Sequence, residues 1–144
     1  MLNPTEVSSW IPDDQLVIVV AGRWAQPVAL RHGLYICQDE RSFRAARHIA
    51  IYADGQIRYL FEIMGPPFNH CNPENMPLLA GIKGYEFEAE AHQVMHLGNM
   101  REIGPIRNDL TSQSGRRIAF TQGQRYTSLS KILTAHTTTE LIHP

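Results

Sequence analysis

The sequence predicts an α+β domain built mainly on antiparallel strands, with a few short helices packed outside. Three observations predict it. Short β-branched runs such as Leu16-Val17-Ile18-Val19-Val20 end at turn residues instead of extending into helical periods. Asp54-Gly55 joins two strand-like runs, and Asp-Gly supplies the two positive φ angles of a type I′ hairpin turn. The clearest helical spacing is confined to a short stretch near the C-terminus.

The elements follow in chain order. Residues 1–14 are polar, carry two prolines and read as an irregular lead-in. The run Leu16 to Val20 is too short for a good helix and reads as a fully buried strand, ended by Ala21-Gly22. Gly22 to Gly33 reads as a loop with room for one helical turn. Leu34 to Cys37 is a second strand, broken by Asp39-Glu40-Arg41-Ser42, and Ile49 to Tyr52 a third. After the hairpin, Ile57, Tyr59, Phe61 and Ile63 are expected on one face, with Arg58, Leu60 and Glu62 on the other. Residues 65–84 form a long proline-rich loop. Asn72-Pro73-Glu74 predicts a helix start there, running to about Ile82. Tyr85 to Leu97 fits both helical and strand spacing and is read as strand. Ile106 to Gly115 reads as a polar turn region, and Arg117 to Thr121 as a further strand. Leu129, Ile132 and Leu133 then mark a helix capped by Thr127.

At 144 residues the chain has the length of one domain, covering 1–144. Such a domain buries roughly 68–70% of its unfolded surface and needs no disulfide or metal to hold it. Two cysteines make no disulfide framework; Cys37, in an apolar run, reads as a small buried residue. The start of the chain has no apolar targeting segment, and no apolar run reaches the ~20 residues that span a bilayer. A cytoplasmic location is expected, with no membrane partner. The formal net charge of -1 excludes a global basic field for nucleic acid. Local basic patches stay open, because Arg41, Arg44, Arg47 and Arg58 fall in the first half and Arg116, Arg117 and Arg125 in the last third.

Catalytic patterns are weak. His92 and His96 are four apart, but Gln93 stands where a zinc protease needs Glu. Asp54 and Glu62 faintly match a nuclease carboxylate pair, yet Met64 stands where its lysine would be. Metal-independent phosphodiester chemistry would need a histidine beside a cation, and His48 with Arg47, or His136 with Arg125, are the candidates. No nucleophile elbow and no phosphate-cradling glycine loop occur. No catalytic residue, metal ligand or cofactor is assigned.

What stands out instead is a basic and aromatic set: Arg23 and Trp24, Arg41, Phe43 and Arg44, Tyr52, and Arg125 and Tyr126. Rings stack on bases, and arginines pair with phosphates or base edges. The same rings could equally close the ends of a small β core.

The chain resembles the PUA-like superfamily, in particular EVE- and ASCH-type domains of prokaryotic defence-associated proteins. The resemblance rests on Val17-Ile18-Val19-Val20, on Arg47-His48-Ile49-Ala50-Ile51-Tyr52-Ala53-Asp54-Gly55-Gln56-Ile57, on residues 97–106, and on Gln124-Arg125-Tyr126-Thr127-Ser128-Leu129 with the residues to Ala135. It implies a small, partly open β-barrel with helices outside, and a regulatory or defence-related module that binds a nucleic acid, a nucleotide or a modified base. The proline-rich 65–84 segment is longer than that pattern expects. Two alternatives stand beside it: a small metal-independent nuclease or cyclic-nucleotide phosphodiesterase, and a protein-binding inhibitor or adaptor using residues 65–84. A homodimer is compatible with each.

Overall fold

Strand β2 (Asp13–Ala21) buries Val17 to Val20 completely, so its side chains must be apolar on both faces. That is why the run reads as continuous hydrophobicity instead of alternation. In the computed structural model, which describes residues 5–6, 9–82 and 91–142, it lies one strand in from one edge of an open sheet of eight strands. The others are β1 (Thr5–Glu6), β3 (Leu34–Gln38), β4 (Ala46–Ala53), β5 (Gln56–Ile63), β6 (Phe68–Cys71), β7 (His92–Arg107) and β8 (Gln124–Ser128). The order is β1-β6-β7-β5-β4-β2-β8, with β3 also paired to β7. Pairing is antiparallel except between β2 and β4. Among the described residues no helix is long and apolar enough to cross a membrane.

The β4–β5 hairpin forms as predicted. Ala53 pairs with Gln56, and Asp54 and Gly55 take φ of 54° and 76°. The expected alternation in β5 holds only in part. Tyr59, Phe61 and Ile63 face one apolar cluster, but Ile57 joins Leu60 in a second. A register shift between Ile57 and Tyr59 moves Ile57 to the other face.

Three corrections concern helices. Residues 22–33 are not a loop with one turn; α1 (Ala25–His32) runs through them. Pro27 is tolerated because it lies in the first turn, where no N–H finds an intrahelical acceptor. Gly33, at φ 64°, closes the helix by donating its N–H to the Ala29 carbonyl. Asn72 does cap a turn, with Oδ1 accepting from the Glu74 and Asn75 N–H groups, but no helix starts there. A short 3-10 helix begins later, at Pro77–Gly81, and the unforeseen β6 precedes it. Near the end, Ser128 and not Thr127 caps α2 (Leu129–Thr134); Thr127 is a β8 residue. A further short helix, α3 (Thr139–Ile142), follows.

Two strand expectations also change. Residues 117–121 form no strand: Arg117 makes one isolated bridge to Thr111, and the segment folds over the sheet to bury Phe120. β7 runs on to Arg107, so the polar turn region starts only at Asn108. The strand expected at 85–97 is present from His92; residues 83–90 lie outside the described residues. The lead-in is not wholly irregular, since Thr5–Glu6 pairs with β6 and β2 already begins at Asp13.

Apolar side chains gather in three clusters. The first takes Ile18, Val20, Ile49, Ile51, Phe61 and Met95 with α1 residues Ala25 and Ala29. The second lies on the opposite side of β2 and β4, where Val17, Val19 and Ala50 meet Phe120, Ile132 and Leu141. In the third, Ile36, Val94 and Cys71 are covered by Met76, Leu79 and Ile82. The proline-rich segment is therefore part of the core as far as residue 82.

Candidate functional site

β8 sorts its side chains by alternation. Tyr126 packs on the first cluster, whereas Arg125 turns to the other side and meets Phe120. The predicted basic and aromatic set splits along this division.

On the first-cluster side, the 39–44 loop brings Arg41, Phe43 and Arg44 to Tyr126. The Arg41 guanidinium donates to Gln124 Oε1 and to the Tyr35 hydroxyl, each at 2.7 Å, and lies 4.7 Å from the Phe43 ring centre. Phe43 meets Tyr35 edge to face at 6.5 Å. The Arg44 guanidinium lies 5.2 Å from the Tyr126 ring centre, and the Arg44 N–H donates to the Tyr126 hydroxyl at 3.1 Å. Gln124 ties strand to loop, its Nε2 donating to the Ser42 carbonyl and the Tyr126 hydroxyl. Beside Arg44 and Tyr126 opens a cleft of ≈ 270 Å³, also lined by Asp13, Gln15 and Ser128.

The loop is held from below by Gln93, a fully buried polar residue of β7. Its Nε2 donates to the Arg41 carbonyl at 2.9 Å and to Asn69 Oδ1 at 2.8 Å, while the Cys37 thiol donates to its Oε1. Burial pushes the Cys37 thiol up to about 12, opposed by Arg41. Burial likewise pushes the Tyr35 phenol up to about 12, with Cys37 adding to it and Arg41 opposing. Both groups are therefore neutral at physiological pH.

The remaining predicted residues lie elsewhere. Tyr52 and Arg125 are on the second-cluster side. There the Tyr52 ring lies 6.3 Å from Phe120, and Arg125 donates to the Phe120 carbonyl at 3.1 Å with its guanidinium 4.8 Å from the ring. Arg23 is exposed and pairs with Asp54 at 2.7 Å. Trp24 starts α1, packs on the first and third clusters and lines an apolar cavity of ≈ 390 Å³ with Pro27, Val28 and Ile82. The expected set is thus not one cleft: Arg41, Phe43, Arg44 and Tyr126 come together, while Tyr52 and Arg125 each meet Phe120 on the other side.

The arginines differ in how they are neutralised. Arg23, Arg47 and Arg58 each pair with a carboxylate, those of Asp54, Asp14 and Glu102. Among the described residues, the guanidinium groups of Arg41, Arg44 and Arg125 meet only rings and neutral acceptors. Sequence reading missed Tyr35, Gln93 and Gln124. Gln124 could have been found from its spacing of two before Tyr126 on a strand, which puts both on one face. Gln93, a lone amide in an apolar strand, carries the signal of a buried polar anchor.

The two carboxylates of the nuclease-like pair are engaged otherwise: Glu62 accepts from Asn99 at 2.6 Å and Asp54 from Arg23 at 2.7 Å. Among the described residues no three His, Cys, Asp or Glu side chains gather as metal ligands. Comparison of the chain with protein families, curated proteins and solved structures found no match.

Proposed function

We propose that the chain is a non-enzymatic binding module for a nucleotide or single-stranded nucleic acid, with the ligand held at the Arg41–Phe43–Arg44–Tyr126 surface. The observation that carries this reading is the state of the two arginines. Each lies over an aromatic ring, and neither is neutralised by a carboxylate among the described residues. A cation with free N–H donors beside a ring edge suits a phosphate next to a base. Arg41 is fixed by Tyr35 and Gln124 and sets the shape of the surface. Arg44 is exposed, holds no side-chain hydrogen bond among the described residues and supplies the phosphate contact. The Asp13 carboxylate, lining the same cleft, can accept from an exocyclic amine or a sugar hydroxyl. In this reading the curved open sheet is a PUA-like, partly open barrel, and the cleft lies at its rim.

Anisotropy titration of labelled single-stranded DNA and RNA oligonucleotides and of mononucleotides tests the proposal. Binding is expected at low salt and should weaken as salt rises, because phosphate contacts release counterions. Absence of binding by every ligand at low salt overturns it. Cleavage of the same oligonucleotides in EDTA would instead favour the metal-independent nuclease.

A further inference from the structure

On the second-cluster side of β4 and β5, away from the arginine–aromatic surface, a small cavity of ≈ 100 Å³ is lined by His48, Leu60, Glu62, Asn99, Arg101 and Leu129. Its construction is unusual in three respects. His48 and Glu62 are direct cross-strand neighbours, and His48 Nδ1 is buried with no hydrogen-bond partner among the described residues. A buried polar atom left unpaired calls for an explanation, and ligand binding is one. β7 also bulges at this point. Leu60 pairs with Arg101 and Glu62 with Gly98, so Asn99 and Met100 together oppose Phe61. Finally, Asn99 takes φ 47°, in the left-handed region that Asn enters more readily than most residues with a side chain, and from it donates to Glu62 at 2.6 Å. The bulge brings both Asn99 and Arg101 to the cavity.

We propose that this cavity is an oxyanion site, seating one phosphate- or sulfate-like group between the His48 imidazole, the second amide hydrogen of Asn99 and the Arg101 guanidinium. The lining is rich in donors. Its one carboxylate, Glu62, is engaged by Asn99, and Arg101 is in no ion pair among the described residues. Leu60 and Leu129 supply apolar walls that strengthen charge-assisted hydrogen bonds. The charged groups around His48 include Glu62 of β5, Arg47 of β4 and Asp14 of β2, the last two paired with each other, and Arg101 of β7 lines the same cavity. Burial lowers the His48 pKa below 6.5, with Glu62 opposing, so the free imidazole is neutral at pH 7. A bound dianion reverses that preference and draws a proton onto His48. Binding is therefore tighter in acid.

The test is a pH titration of the histidine ring signals by 1H–15N NMR, with and without sodium sulfate, which keeps its charge between pH 5 and 8. Sulfate is expected to raise the His48 midpoint. Between the free and bound midpoints its affinity should fall about tenfold per pH unit, the limit for one linked proton. Arg101→Gln, at an exposed position, should weaken sulfate at least tenfold without unfolding the chain. A His48 midpoint that sulfate does not move, or an affinity that Arg101→Gln leaves intact, overturns the proposal. Two sources of the anion are separated by 5′-phosphorylated and 5′-hydroxyl oligonucleotides of one sequence. Preference for the phosphorylated end assigns the site to a nucleic-acid terminus; equal affinity assigns it to a free small anion. Arg44→Ala serves as the control, because the two sites share no residue: loss of oligonucleotide binding there leaves the sulfate effect on His48 unchanged.

Discussion

Arg44 and Arg125 both lie over aromatic rings, 5.2 Å from Tyr126 and 4.8 Å from Phe120, on opposite faces of the same edge strand. Arg125 also donates to the Phe120 carbonyl, and its ring partner is almost fully buried. It works as a clamp that pins the 108–121 segment across the sheet. Arg44 is exposed, and among the described residues its guanidinium contacts only a half-buried ring. The same pairing of cation and ring thus serves folding in one place and leaves a donor available for a ligand in the other. What distinguishes them is where the remaining N–H groups go.

That contrast is tested first where the effect is largest. Phe120→Ala removes a buried ring, the seat of Arg125 and the neighbour of Tyr52. It should cost about 3–5 kcal/mol of stability, seen as a fall in the denaturant midpoint. Oligonucleotide affinity of the folded fraction should be unchanged. A loss of affinity without loss of stability would mean that the two faces are coupled.

Gln93→Leu comes next and acts on the other side. It leaves the Arg41 carbonyl without its Gln93 donor, while Asn69 Oδ1 loses one of two and keeps the Glu40 N–H. At ~1–3 kcal/mol for an unsatisfied group, a loss of about 2 kcal/mol is expected. Because the loop carrying Phe43 and Arg44 is anchored there, affinity should fall as well. Thermal melts and anisotropy on one preparation separate this outcome from that of Phe120→Ala.

The two faces should also part in alkali. Tyr35 and Cys37 belong to the first cluster, and both have folded pKa values raised to about 12, from 10.0 and 9.0. Between the unfolded and folded values the native state holds more protons, so stability is full below pH 9 and declines as pH rises toward 12. Cys37 alone should remove about 2 kcal/mol by pH 10.5, at about 1.4 kcal/mol per pH unit. Urea midpoints at pH 8, 9.5 and 10.5 check this, and Cys37→Ala should flatten the profile. An unchanged slope in that variant would move the alkaline sensitivity to another group.

The strands were legible in the sequence wherever one local signal settled them. Val17 to Val20 could only be a strand buried on both faces, and Asp54-Gly55 could only be a tight turn. What escaped was whatever depended on distant partners. The register shift that turns Ile57 to the other face is set by β7, and α1 survives Pro27 because the proline falls in the first turn. The Ile118 to Phe120 run looks like a strand locally, but Asn108 ties it down as a cover through the Ile118 carbonyl. The site was legible in part for the same reason. Arg41, Phe43 and Arg44 are neighbours in sequence and stay together, whereas strand alternation separates Tyr126 from Arg125 and places Tyr52 with the latter.

The smallest change in stability should come from the substitution that matters most for binding. Arg44→Ala removes an exposed side chain whose guanidinium, among the described residues, contacts only the Tyr126 ring, a cation–π contact worth about 0.5–1 kcal/mol at an exposed site. The melting midpoint should move little, since the hydrogen bond to the Tyr126 hydroxyl comes from the Arg44 backbone N–H and survives. Binding should lose about 1.5–3 kcal/mol, the range for a hydrogen bond to a charged group. The salt dependence should become shallower by about one phosphate contact. Arg44→Lys keeps the charge but not the planar fork, so it should restore the salt slope and only part of the affinity. If Arg44→Ala lowers the melting midpoint as much as Phe120→Ala while affinity holds, Arg44 is a clamp like Arg125, and the ligand surface is not at this loop.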